Sequence, residues 1–315
     1  MEIKEVDLKE YNQWIKNPYH IFGSGDFTDI NSKKIENVYY LLFNDGKVRL
    51  GITGGIRESI FFSPFSAPFG GFMHLREDVK INQIDNACIA LTLWAKTKGL
   101  RSIEIKLPPP IYNKGFISKQ INTLFRNNFI IANIELNYSY HTTNFDDNYA
   151  STIWYNARRN LNLGIKNNLK LHLCINTEQK KIAYTIIQHN RATRGFPLRM
   201  TWEQIDETIK LIHTDFFLCF DQYRSPIASA IALHVSKDII QIIYWGDLPE
   251  FNRLKTMNFL SYKIFEYYKT VGIKIIDIGP ATENSAPNYG LCEFKESIGC
   301  QISTKLHFKK IIYED

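Results

Sequence analysis

Long apolar runs are missing from this 315-residue chain, so no segment qualifies as a membrane-spanning helix. The opening Met1-Glu2-Ile3-Lys4-Glu5-Val6-Asp7 is too charged for the apolar core of a secretory signal. The five cysteines (Cys88, Cys174, Cys219, Cys292, Cys300) are scattered, odd in number and free of any Cys-x-x-Cys pair. Reduced thiols and a cytoplasmic location are the expectation. The eight histidines show neither His-x-His nor His-Glu-x-x-His spacing, so the sequence offers no metal site. Gly51-Ile52-Thr53-Gly54-Gly55 lacks the lysine of a phosphate loop and reads as a turn, and no serine sits in a Gly-x-Ser-x-Gly elbow. What remains is an ordered globular chain, 44% hydrophobic and 14% aromatic, long enough for one large or two ordinary domains.

Acidic residues are scarce in one place. Between Asn148 and Trp202 stand nine Lys or Arg, among them Arg158, Arg159, Arg191, Arg194 and Arg199, and a single acid, Glu178. That segment carries +8 of a formal net charge of +6, which leaves −2 for the rest. Such asymmetry points to an anionic partner at one part of the molecule, or else to a solvated basic face.

The chain reads as duplicated. A helical pattern over Ile84–Thr97 leads through Lys98-Gly99 to a strand at Ser102–Leu107 and Pro108. A second, over Asn258–Thr270, leads through Val271-Gly272 to a strand at Ile273–Gly279 and Pro280. A short helix and a final strand follow each time, Phe116–Asn127 with Phe129–Tyr140, then Tyr289–Ser297 with Gln301–Ile312. Gly99 and Gly272 are 173 residues apart, Pro108 and Pro280 172, Phe125 and Phe294 169. Upstream, Asp45-Gly46 marks a hairpin, and Asp215–Asp221, Ile227–Val235 and Ile239–Trp245 read as three antiparallel strands. The spacing predicts a boundary near Asn144–Asn148, with residues 1–145 as one half and 146–315 as the other. Basic helices inserted over 149–213 include one continuous helix from Tyr149 to Asn167.

Gly290-Leu291-Cys292-Glu293-Phe294-Lys295-Glu296-Ser297-Ile298-Gly299 carries a resemblance. It is similar to the Gly-Leu-x-x-Phe-Lys-x-x-(Phe/Leu)-Gly signature of the Fem family, the peptidoglycan-bridge aminoacyltransferases built as tandem GNAT folds. His189–Arg199 resembles that family's Thr-x-x-Arg-x-x-Phe-x-x-Arg stretch with altered spacing, and Asn156-Ala157-Arg158-Arg159-Asn160 its Arg-Arg-Asn helix. These matches cover the C-terminal half. The first half resembles the family by architecture alone. The resemblance implies a mixed α/β fold of two GNAT-like halves, each a largely antiparallel sheet flanked by helices. It implies an acyltransferase moving an acyl or aminoacyl group to an amine of a cell-envelope precursor or peptide. An acyl-CoA-dependent acetyltransferase and a non-catalytic descendant binding an anionic sugar, peptide or RNA are the alternatives.

In a GNAT fold the acyl group lies where two parallel strands splay, here those ending at Tyr244-Trp245-Gly246 and at Ile278-Gly279. The resemblance places Lys295 against donor phosphate or developing charge, with Phe294 beside it, and leaves Asp277 and Tyr289 for proton handling. Where coenzyme A enzymes carry a glycine-containing phosphate loop, this chain has Arg253-Leu254-Lys255-Thr256-Met257-Asn258, with Arg253 and Lys255 as the groups able to meet phosphate. No tightly bound cofactor is expected. The donor is aminoacyl-tRNA or acyl-CoA, and the +8 segment favours taking tRNA seriously as a partner. A peripheral contact with a lipid-linked, diphosphate-bearing precursor is also compatible with that charge. Finally, five phenylalanines between Phe61 and Phe72 stand among Pro, Ser and Gly and fit neither strand nor helix. Phe65 and Phe69 are expected either to line an acceptor cleft between the halves or to close the first core.

Overall fold

Asp45-Gly46 turns as its sequence requires. Gly46 takes φ +97°, and the strands on either side pair antiparallel from Asn37↔Ile56 to Asn44↔Val48. The computed structural model describes residues 1–196 and 198–313. The chain divides into two compact units. One runs Met1–Leu136 and regains the chain from Ser303, and the other is Asn137–Ile302.

The first unit contains β1 (Glu2–Val6), α1 (Leu8–Trp14), α2 (Gly25–Ile30), β2 (Asn37–Asn44), β3 (Val48–Arg57), β4 (Ile60–Ser63), β5 (Met73–His74), α3 (Ile81–Thr97), β6 (Ser102–Lys106), α4 (Lys114–Arg126) and the start of β7 (Ile130–His141). Its sheet runs β1-β2-β3-β4-β6 and continues into residues 307–311 of the last strand, with β5 on β3. Strands β4 and β6 pair in parallel, from Ile60↔Ser102 to Ser63↔Ile105. Helix α3 turns Ile84, Leu91 and Trp94 inward at helical spacing, against Leu41, Phe43, Leu50 and Ile52 of the sheet. Gly51–Gly55, expected as a turn, lies inside β3.

Where the β4–β6 ladder ends, the phenylalanine-rich segment fills the space. Phe61 and Phe62 belong to β4, contrary to the expectation of an irregular stretch. Phe61 packs edge-on to Trp94, and Phe69 is fully buried against His20, Phe22 and Tyr112. Gly70 N–H donates to Lys106 O at 2.8 Å, and Phe72 N–H donates to the Gln120 amide oxygen at 2.9 Å. Phe69 is therefore a core residue and not an acceptor contact. Phe65 is half-buried beside Thr53, Gly54 and Pro64 in the same unit.

The second unit adds α5 (Tyr149–Thr152), α6 (Tyr155–Lys166), β8 (Lys170–Leu173), α7 (Thr177–Thr193), α8 (Trp202–Leu211), β9 (Thr214–Phe220), β10 (Pro226–His234), β11 (Ile239–Asp247), α9 (Thr256–Thr270), β12 (Ile275–Pro280), the hairpin β13 (Thr282–Glu283) and β14 (Ala286–Pro287), α10 (Tyr289–Ser297) and the first two residues of β15 (Gln301–Ile311), the rest of which belongs to the first unit. Its sheet order is β7-β12-β11-β10-β9-β8, antiparallel except for β11 with β12. Successive β9 residues face opposite sides, as strand geometry demands. Phe216 and Leu218 join Ala183, Ile187 and Ile205 of α7 and α8, while Phe217 meets Tyr267 and Tyr268 of α9. Phe265 of α9 stacks on Tyr140 of β7, with ring centroids 4.0 Å apart.

Each unit is thus a mixed sheet flanked by helices, as expected, but two expectations need correction. The final strands are exchanged. Residues 137–141 of β7 pair with β12 in the second unit, and residues 307–311 of β15 pair with β6 in the first. The cut after residue 145 is replaced by one that crosses both strands. Periodicity locates a strand without naming its neighbour. The predicted helix 149–167 is also broken. Ile153 and Trp154 are extended, and Trp154 N–H donates to Ser297 O at 3.1 Å, so α6 begins afresh at Tyr155.

Because Phe69 lies at the centre of an aromatic cluster, Phe69→Ala should lower unfolding stability by about 3–5 kcal/mol in a urea titration. A loss below about 1 kcal/mol would contradict its core placement.

Candidate active site

Strands β11 and β12 part company, and local irregularities on both show why. Their parallel ladder covers only Ile239↔Ile275, Ile240↔Ile276 and Gln241↔Asp277. Just beyond, β11 carries an extra residue, Ile243, in its pairing with β10, and β12 carries one, Ile278, in its pairing with β7. A bulge bends and twists the strand that contains it. Two of them immediately past the last shared rung turn the strand ends apart. Beyond the last rung a gap in the strand pairing separates Tyr244-Trp245-Gly246 from Gly279-Pro280.

Asp277 and Lys295 hold the β12 side. The Asp277 carboxylate is fully buried and accepts from Asn137 Nδ2 at 2.8 Å, Gln241 Nε2 at 2.8 Å and Gly279 N–H at 2.9 Å. The last bond spans the bulge, and Gly279 follows it with φ +72°, a left-handed value that disfavours side chains. Lys295, only 2% exposed, donates from Nζ to the carbonyls of Ile278, Gly279 and Pro280 at 3.0, 2.9 and 3.0 Å. Its Nζ also lies 5.3 Å from the centre of the Tyr138 ring. Burial pulls the ammonium pKa down to about 8, against the opposing pull of Cys300 and Asp277.

These contacts correct two sequence-based roles. Lys295 has three N–H groups and all three are committed to backbone, so it shapes the gap instead of meeting a phosphate directly. Asp277, expected to handle a proton, is placed as an anchor, with its oxygens engaged and no exposed surface.

The mouth of the gap gathers groups from distant segments. Trp245 and Phe294 meet edge-on with centroids 5.9 Å apart. Arg191, in the last turn of α7, sits over the Tyr244 ring at 5.7 Å, and desolvation lowers its pKa beside Arg194 and Arg199. Asn190 Nδ2 donates to Asp247 O at 2.6 Å. Any side chain at Gly246 would collide with Asn190. Arg199 pairs with Glu283 of the β13–β14 hairpin at 2.8 Å, on the exposed rim. Pro197, inside this basic link, lies outside the described residues.

Asp247 escaped the sequence reading. It ends β11 nearly buried, with Arg194 Nη2 3.7 Å from Oδ1, and that oxygen has no hydrogen-bond partner. Burial raises its pKa, with Arg194 opposing. A carboxyl with a raised pKa beside a cleft is suited to taking up a proton. Its only sequence signal was a charge directly after Trp-Gly at a strand end.

Tyr289 is 76% exposed in the first turn of α10, whose Asn288 cap accepts from Leu291 N–H at 3.0 Å. Arg253 and Lys255 are exposed before α9, with Lys255 in left-handed conformation at φ 55°. Arg158 and Arg159 lie on α6, where Arg158 covers Tyr155 of its own helix. Phe65 and Phe69 belong to the first unit. All five cysteines are free and buried.

No protein-family model matches the chain, and no curated protein matches its sequence. Solved structures do match its fold. FemX aligns with TM-score 0.70 at 12% identity, over 99% of this chain and 97% of its own. L-PGS from Bacillus licheniformis aligns with TM-score 0.61 at 11% identity, over 97% and 92%. A tandem GNAT protein from the clavulanic acid biosynthesis pathway aligns with TM-score 0.53 at 8% identity, over 100% and 99%. The fold is thus a Fem-like tandem GNAT fold, although identity is low throughout. No helix among the described residues is long and apolar enough to cross a membrane.

The Lys295 environment predicts a titration. One lysine side-chain resonance should titrate near pH 8 by NMR and vanish in Lys295→Met. The folded-state pKa lies below the unfolded value of 10.5, so between about pH 8 and 10.5 the unfolded chain holds the extra proton. Stability contributed by this group therefore rises with pH across that window, and Lys295→Met should remove the rise. If every lysine titrates near 10.5, the buried placement is wrong.

Proposed function

We propose that the chain is an N-acyltransferase whose acyl donor lies in the gap between β11 and β12. The observation that carries this reading is the gap itself, opened by two bulges and clamped by Asp277 and Lys295. The strand ladder stops at Gln241↔Asp277, and with the β12 turn held by Asp277 and Lys295 it is the Tyr244–Gly246 edge of β11 that is left to an extended substrate. Preorganised backbone donors aimed at a developing oxyanion lower the barrier to acyl transfer, and fixed geometry supplies much of the rest.

In the proposed reaction an acceptor amine attacks the donor carbonyl carbon. An N–C bond forms, and collapse of the tetrahedral intermediate breaks the C–O bond of an ester or the C–S bond of a thioester. Asp247 takes the proton from the amine, and that proton goes on to the leaving oxygen or sulfur. Lys295 is a positioning residue that fixes the carbonyls of the β12 turn.

The donor favoured by the chain's own residues is an aminoacyl ester on tRNA. Arg191, Arg194 and Arg199 surround the mouth, and Lys255 occupies the approach to α9 where a coenzyme A site would call for glycine. The Fem-like fold supports the same choice, with an amine of a cell-envelope precursor or peptide as acceptor and a cytoplasmic setting. Acyl-CoA remains the competing donor in the test.

Incubation with a charged-tRNA pool and an acyl-CoA pool, followed by mass spectrometry of amine acceptors, should show transfer from the former. Transfer from acyl-CoA alone would reverse the donor assignment, and none from either would remove the enzymatic reading. Asp247→Asn should lower kcat/KM roughly a hundredfold or more and abolish the acidic limb of its pH profile. An unchanged profile would exclude Asp247 as the base. Changing Arg191, Arg194 and Arg199 together to alanine should weaken donor binding and flatten its salt dependence. Affinity indifferent to both would reduce these arginines to surface charge.

A further inference from the structure

At the end of the second sheet remote from the gap, three ligand-type side chains converge. The register separates the two places. Ala228–Ile231 of β10 lie beside Tyr244–Asp247, whereas His234 lies beside Ile240. His213 precedes β9, Asp215 is its second residue, and His234 ends β10. The antiparallel pairing of these strands gathers residues 21 positions apart. His234 N–H donates to His213 O at 2.9 Å, closing this end of the hairpin.

Nε2 of His234 lies 2.8 Å from Asp215 Oδ2, and Nε2 of His213 lies 3.5 Å from Asp215 Oδ1. The imidazole centroids are 4.3 Å apart. All three ligand atoms fall within 4.8 Å of one another, the only such convergence among the described residues. Two neutral imidazoles and one carboxylate form the donor set of a zinc ion that keeps a position for water. Ligand atoms bound at about 2.0–2.1 Å around a tetrahedral ion sit about 3.3 Å apart, so atoms already within 4.8 Å of one another need only small side-chain rotations to close on an ion.

The surroundings match such a site. Tyr268, fully buried on α9, donates its hydroxyl to Asp215 Oδ2 at 2.8 Å, an outer partner that fixes the carboxylate. Asp215 is buried, whereas the His213 side chain is 72% exposed, which leaves an entry path from solvent.

We propose that His213, Asp215 and His234 bind one divalent transition metal ion, zinc by donor set. The ion clasps the ends of β9 and β10 to each other and, through Tyr268, to α9. The histidine spacing in the sequence hides it, because the ligands come from two strands of a hairpin instead of one helix or loop.

The test uses the full-length, tag-free protein after chelator treatment, titrated with Zn²⁺ alone by calorimetry. One equivalent should bind with Kd below roughly 10 µM, and Mg²⁺ should give no saturable heat. His213→Ala, at an exposed position that leaves the fold intact, should weaken Zn²⁺ at least tenfold, and His234→Ala should abolish it. At 100 times Kd, Zn²⁺ should raise Tm by on the order of 5 °C in the parent protein, and by less in His213→Ala at the same concentration. Absence of saturable binding, or equal binding by parent and His213→Ala, overturns the proposal.

Discussion

Two opposite charges buried on either side of Gly279 determine the geometry on which the functional reading depends. Asp277 accepts three hydrogen bonds and Lys295 donates three, the latter all to consecutive carbonyls of one turn. Charges removed from water are tolerated only when each is paired and fully bonded. Here the bonding is used to impose a shape. The carboxylate draws Gly279 N–H back across a bulge, and the ammonium draws three carbonyls to one point. The end of β12 therefore cannot straighten and resume pairing with β11 unless buried polar groups lose their partners.

The two units make opposite use of the same arrangement. In the first, the parallel pair β4 and β6 ends at Ser63↔Ile105, and the following segment returns Phe69 and Gly70 into the space. In the second, the parallel pair ends at Gln241↔Asp277, and a polar clamp on β12 takes the place of an aromatic plug. A duplicated fold thus carries one strand end filled by aromatic side chains and one held by a polar clamp. Arg191, Tyr244, Trp245, Phe294 and Asp247 assemble at the second, although they come from α7, β11 and α10.

Much of this was legible from local pattern. Turn residues such as Asp45-Gly46, helical spacing on α3 and alternation in β9 placed most elements within a few residues. The duplication gave the architecture, and Trp245 with Phe294 came from the resemblance. The losses share one cause. Strand exchange, the two bulges, the burial of Lys295 and the convergence of His213 with His234 depend on which segments become neighbours, and periodicity carries no such information. The resemblance set Lys295 against phosphate or developing charge, and only the folded β12 turn supplies the three carbonyls that it meets. Asp247 looked ordinary because only its neighbours raise its pKa. Phe69 posed the reverse problem, an aromatic among turn residues whose burial followed from the loop folding back onto β6.

The central claim is that the clamped gap between β11 and β12 receives the acyl group. It is tested most directly by a crystal structure with a non-hydrolysable aminoacyl-ribose ester analogue. The account predicts the acyl chain between Tyr244–Gly246 and Gly279–Pro280, with the Lys295 bonds to Ile278, Gly279 and Pro280 intact. An acyl chain bound elsewhere, or a Lys295 ammonium that leaves those carbonyls to meet the ligand, would contradict it.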